Sequence, residues 1–121
     1  MEIVADTSFL IAYSIKEDIH HKKAIEIFEK TKLIYIPTIA IHELVWFARR
    51  KNLPKDIILS WILCEKTEII EITESDILFA LRNAKNLSDY NDFVIISVAL
   101  RLNKELITFD EKQEKYYKQF K

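Results

Sequence analysis

The chain has 121 residues, half of them hydrophobic and 31% charged, and a formal net charge of -1. That length supports one domain, residues 1-121, with a sizeable core, and the balanced charge means that any nucleic-acid chemistry must rest on local basic patches or a metal. With no glycine at all, a P-loop, a G-x-G-x-x-G dinucleotide turn and a G-x-S-x-G elbow are excluded, because each needs glycine where backbone meets ligand or takes positive φ.

No apolar run reaches the ~18 residues of a membrane span. The N-terminus shows no basic region followed by an apolar segment and a small-residue cleavage site, so a cytoplasmic protein without membrane association is expected. The single Cys64 has no disulfide partner in the chain and falls in a helical pattern. It reads as a small buried apolar residue and not as a nucleophile.

In chain order, Ile3-Val4-Ala5 is an uninterrupted apolar run that enters Asp6-Thr7-Ser8. Such runs are the mark of a buried strand in a parallel sheet, whose carboxyl ends are where ligands gather. Phe9 to Ile15 is apolar almost all round and predicts a short buried helix that Asp6 or Thr7 could cap. His20 to Lys32 places Ala24, Ile27 and Phe28 on one stripe, an amphipathic helix. Leu33 to Ile36 is a second strand, and Pro37-Thr38 opens a third helix that runs to about Lys51 and stops before Pro54. A fourth helix is expected from about Lys55 to Lys66. Glu68 to Ile72 reads as a charged, hence edge, strand. Thr73-Glu74-Ser75-Asp76 resembles a capping box for a fifth helix that buries Ile77, Ala80, Leu81 and Ala84. The sixth helix, about Asp89 to Asn103, is the most apolar, with Phe93-Val94-Ile95-Ile96 and Val98-Ala99-Leu100. Leu106 to Phe109 is the last strand, it ends in Asp110, and a Lys- and Glu-rich helix closes the chain.

Strands alternating with helices imply right-handed crossovers and a parallel sheet, so the fold class is α/β with three α/β/α layers. The uncharged first strand belongs in the middle and the charged third at an edge. That gives the order 3-2-1-4, with the topological switch beside Asp6.

Four acids then converge: Asp6 and Asp110 end adjacent strands, while Glu43 and Asp92 lie near the first turns of helices leaving the same sheet edge. Singly, each has a structural explanation. Asp6 and Asp110 stand where N-caps stand, and Asp92 lies in a first helical turn that Ser88 or Asp89 can cap. Glu43 sits among Ile39, Ala40, Trp46 and Phe47, where an acid is costly unless it pairs with Arg49, Arg50 or another cation, or binds metal. Together they repel unless a cation neutralises them. An oxygen-only set selects magnesium or manganese over zinc. His20 and His21 point to different sides and read as solvated, and His42 as packed against the sheet.

The pieces Val4-Ala5-Asp6-Thr7-Ser8, Ala40-Ile41-His42-Glu43-Leu44, Asp92-Phe93-Val94-Ile95-Ile96-Ser97-Val98-Ala99 and Leu106-Ile107-Thr108-Phe109-Asp110 resemble the PIN domain family, and within it the VapC-like ribonuclease toxins. The resemblance implies a Rossmann-like fold, RNA cleavage dependent on magnesium or manganese, a homodimer, and a small antitoxin partner. By position it carries Asp6, Glu43, Asp92 and Asp110 onto the family's acids, with Ser8 and Thr108 on polar positions beside them. The family often adds a fifth strand after the last acid, whereas Glu111 to Lys118 here reads as helix. Asp89 is an extra acid one turn before Asp92, expected as a cap or as support behind the site.

The activity expected is an endoribonuclease that hydrolyses RNA phosphodiester bonds, the toxin of a toxin-antitoxin pair. Asp6 and Asp92 are expected to bind metal most directly, with Asp110 and Glu43 completing the site. Lys16, Arg49, Arg50 and Lys112 are candidates for the RNA backbone, and Tyr13, Tyr90 and Phe109 for base stacking, although aromatics at such spacings are usually core. The alternatives are an RNA-processing nuclease without antitoxin and a non-catalytic interaction module that uses the acids as caps.

Overall fold

The first strand, β1 (Glu2–Ala5), buries Ile3, Val4 and Ala5 completely, as a strand covered on both faces must. In the computed structural model, which describes residues 1-121, it pairs in parallel with β2 (Leu33–Pro37) on one side and β4 (Glu105–Ile107) on the other. β3 (Thr67–Ile70) adds to the far side of β2, so the order is β3-β2-β1-β4, as the charge pattern predicted. The chain moves outward from β1 to β3 and then jumps back across to β4. Its reversal point lies beside Asp6.

The helices are α1 (Thr7–Ser14), α2 (His21–Lys30), α3 (Thr38–Arg50), α4 (Asp56–Leu63), α5 (Glu74–Asn83), α6 (Tyr90–Leu102) and α7 (Glu111–Lys118). α6 is the buried one: every residue from Phe93 to Ala99 is buried. α5 packs along α6, and α1 against α2 and α3. No fifth strand follows β4, since α7 takes that part of the chain. No helix is long and apolar enough to cross a membrane.

Two positions take left-handed backbone, Asn52 and Asn103, each at φ 55°. In a chain without glycine, asparagine is the residue that tolerates this geometry best. Asn103 thereby ends α6 just before β4.

Several boundaries move from their expected places for identifiable reasons. β3 ends at Ile70 and not Ile72, because its partner there is Pro37, the last residue of β2. α4 stops at Leu63 because Thr67 donates its hydroxyl back to the carbonyls of Trp61 (2.7 Å) and Cys64 (2.9 Å). Cys64 is consequently half-buried at a helix end and not within the core. β4 ends at Ile107 opposite Ala5, which frees Thr108 and Phe109 from the ladder.

The capping box at Thr73 forms as expected, yet the face of α5 differs. Ile77 and Leu81 are 39% and 52% exposed, while Asp76 is wholly buried beside Ala80. The reason is a cation from α6: Arg101 donates through Nη2 (2.9 Å) and Nε (3.2 Å) to Asp76, and Ser97 adds a third bond of 2.7 Å. The histidines also differ from expectation. His20 lies flat on Phe109, with ring centroids 4.7 Å apart, and Nδ1 of His21 is 2.8 Å from the Ala12 carbonyl, so neither is simply solvated. His42 is exposed on α3.

Candidate functional site

Because β1 and β4 are neighbours, the residues that follow them meet. The Asp6 amide donates to the Ile107 carbonyl (3.1 Å), which holds the Asp6 carboxyl beside Thr108. Asp6 occupies the N-cap position of α1, but its side chain makes no capping bond. Its Oδ2 instead accepts from the hydroxyls of Thr108 (2.7 Å) and Ser8 (2.9 Å). Those hydroxyls accept in turn from the amides of Asp110 (3.0 Å) and Phe109 (2.9 Å). Two backbone amides of the chain after β4 thus fix the orientation of a carboxylate after β1.

Glu43 reaches the same place from the second turn of α3. It accepts from the Thr7 hydroxyl (2.6 Å) and from the Asn91 amide (3.2 Å), and no arginine pairs with it. Asp110 caps α7, with Oδ1 accepting from the amides of Lys112 (2.9 Å) and Gln113 (3.2 Å). Asp92 lies in the first turn of α6. Its backbone carbonyl accepts from Nε2 of Gln113 (3.2 Å), so α7 is pinned to α6 behind it.

All four acids line one cleft of about 320 Å³, together with Thr7, Ser8, Trp46 and Arg50. The electrostatics are those of uncompensated charge. Burial raises the pKa of Asp92 to about 7, with the charges of Asp6, Asp110, Glu43 and Asp89 adding to it. Burial likewise pushes Asp6 up, against the hydrogen bonds from Thr108 and Ser8. Glu43 is also raised by burial, against its bonds from Thr7 and Asn91, with the charge of Asp6 adding to the rise.

The remaining expected residues divide. Asp89 does not line the cleft and does not cap α6 with its side chain. It pairs with Lys112 and accepts from the Tyr116 hydroxyl (3.2 Å), and the lysine contact holds its pKa below the usual range. Lys112 is therefore occupied on α7. Arg50 is the one cation in the cleft wall, while Lys16 and Arg49 are exposed elsewhere. Sequence reasoning missed Thr7 and Asn91 behind Glu43, Gln113 behind Asp92, and Trp46. Only Trp46 left a signal, as an aromatic three residues beyond an acid on the same helical stripe.

The donor set fits a hard divalent ion in its chemistry: oxygen ligands only, like-charged, and in no ion pair with Arg50 or any other cation. No three of these side chains form a closed coordination cluster. They border an open space of about 320 Å³, with room for waters between the carboxylates.

A family model for the PIN domain matches residues 3–119, nearly the whole chain. The chain belongs to the PIN domain family. Among solved structures, this PIN domain resembles VapC20 of Mycobacterium tuberculosis, described as a sarcin-ricin loop cleaving toxin, with a TM-score of 0.80 at 16% identity over 93% of each chain. It also resembles VapBC2 from Rickettsia felis, solved bound to a DNA fragment from its promoter, with a TM-score of 0.67 at 20% identity over 96% of this chain and 93% of that one. At such identities the likeness establishes the PIN fold. No curated protein sequence matches the chain.

Proposed function

We propose that this PIN domain is an endoribonuclease that hydrolyses RNA phosphodiester bonds with magnesium or manganese, and that it acts in the cytoplasm as the toxin of a toxin-antitoxin pair. The observation that carries the reading is the convergence of Asp6, Glu43, Asp92 and Asp110 on one cleft in which none of them forms an ion pair, and the rise of the Asp92 pKa to about 7 through burial and the neighbouring charges accords with it. Folded proteins avoid such groupings unless an external cation completes them.

Asp6, Asp92, Asp110 and Glu43 would hold the ion. Bound there, such an ion would offset the charge of the acids and supply the Lewis acidity that phosphodiester hydrolysis needs. The protein's own residues prepare that site. Ser8 and Thr108 hydrogen-bond the Asp6 carboxylate, Thr7 and Asn91 do so for Glu43, and Arg50, which lines the same cleft, would take a phosphate oxygen.

The toxin assignment draws support from the two VapC-type neighbours, one described as a toxin that cleaves the sarcin-ricin loop and one solved as a VapBC pair. A small antitoxin and a homodimer follow as proposals. Exposed apolar side chains on α4 and α5, such as Ile62, Leu63 and Leu81, offer surface for either contact. The reading of the acids as mere caps is disfavoured, since only Asp110 among the four caps a helix with its side chain.

Incubating the purified protein with a mixed RNA pool, with and without magnesium, and mapping the new ends tests the activity. Ends that appear only with magnesium support it, and an intact pool with either magnesium or manganese defeats it. Co-expression with the small reading frame upstream tests the pairing, with rescue of growth as the expected outcome.

A further inference from the structure

The aromatic residues of this chain are buried or half-buried, Phe47 at the cleft included, with the one exception of Trp46. Tyr13 packs tilted against Phe28 and edge-on against Trp61, and Phe109 lies between Phe9 and His20. Trp61 is 3% exposed, and its Nε1 donates to Ser14 at 2.8 Å. Trp46, by contrast, is 59% exposed and borders the space shared by the four acids. An indole left open to water at the rim of a polar cleft, on a helix whose next turn brings the cleft's sole cation, Arg50, is a poor solution for a core and a good one for a ligand with an aromatic plane and an anion.

We propose that Trp46 is a substrate-positioning and specificity-determining residue: its indole stacks on an unpaired base next to the scissile phosphate, while Arg50 holds the neighbouring phosphate. This rests on the RNA-cleaving reading and names the substrate class as RNA with at least one base out of its helix. The spacing supports it. Trp46 and Arg50 are four residues apart on α3, hence on one face, and Glu43 stands one turn before Trp46 on that same face. Base, phosphate and one of the four acids, Glu43, are thereby served by a single helix. In paired RNA the bases are stacked on each other and the deep groove is closed to side chains, so only a loop, bulge or end presents a plane to Trp46.

Two measurements test it. In the absence of divalent ions, the emission of exposed Trp46 is expected to be quenched by a single-stranded heptaribonucleotide and not by the same strand in a duplex; a Trp46→Phe chain, which keeps only buried Trp61, shows no quenching. In the presence of magnesium, Trp46→Ala is expected to raise KM for a loop-containing RNA about 10-fold with kcat held within about twofold, and Trp46→Phe to recover most of that loss. Arg50→Ala weakens binding across all sequences and lowers the salt-dependence slope by about 1. An unchanged KM in Trp46→Ala, equal quenching by duplex, or a change of oligomeric state in that variant on a sizing column overturns the proposal; the last assigns the indole to a protein interface. Wild-type protein that leaves RNA intact defeats the nuclease reading separately, while the quenching measurement still reports on the stack.

Discussion

Asp76 and Asp92 occupy the same station in their helices, the third residue of the first turn of α5 and of α6, yet the fold treats them in opposite ways. Burial pushes Asp76 up, but Arg101, the Thr73 amide and the Ser97 hydroxyl outweigh it and hold the carboxyl below its usual range. Thr73 at the N-cap reciprocates by accepting from the Asp76 amide, which closes the capping box. At Asp92 the N-cap residue is Asp89, itself an acid and already turned to Lys112 and Tyr116. No such box forms, and the neighbours facing Asp92 are carboxylates. Where this protein uses a buried acid for stability it supplies donors and a cation. Where it withholds them, as at Asp92, the acid stands at a cost to stability, which is what the proposed ion site requires.

The largest effect expected from this contrast is catalytic. Changing Asp6 and Asp92 together to Asn should lower RNA cleavage by more than about 1000-fold, read by gel under single-turnover conditions, with no loss of thermal stability. Second in size, Asp76→Ala should destabilise the fold by about 3 kcal/mol in urea unfolding, the low end for a broken buried pair because Arg101 keeps a third of its side chain in water, while the fraction that remains folded cleaves normally. Should Asp76→Ala instead abolish cleavage at full stability, the two aspartates do not divide the labour in this way.

Smaller effects sharpen the same contrast. Ser8→Ala removes bonds to Asp6 and to the Phe109 amide, and should cost about 1 kcal/mol of stability and roughly 10-fold in activity. The smallest concerns pH. An acid whose folded pKa is raised binds more protons folded than unfolded, so its contribution to stability falls as pH rises from about 4, its unfolded value, through about 7. With chelator present, Asp92→Asn should therefore raise the midpoint by a few degrees at pH 8 and leave it unchanged at pH 4, as scanning calorimetry would show. Asp76, held low, has the opposite sign: its contribution is present above pH 4 and fades below it.

The architecture was legible because charge and apolarity sort the strands: an uncharged Ile3-Val4-Ala5 can only be central, and Glu68 marks an edge. The four acids were legible for a related reason, since strand ends and helix starts on one sheet edge follow from the order. Long-range polar partners were not. Arg101 lies 25 residues beyond Asp76, and the capping box already accounted for that aspartate, so nothing local betrayed its burial. Thr7 and Asn91 behind Glu43, and the Lys112 to Asp89 pair, are likewise decided by packing across elements. The histidine expectations failed because stacking of His20 on Phe109 depends on a loop meeting the end of β4.

One carboxylate holds two posts. Asp110 faces the cleft and also fastens the final helix through the amides of Lys112 and Gln113. Asparagine is as good an N-cap as aspartate whereas alanine is not, so position 110 lets charge be subtracted with the tail left tied, or the tail untied as well. Anything that tugs on the C-terminus, a fusion or a trimmed end, therefore pulls on a side chain of the cleft itself.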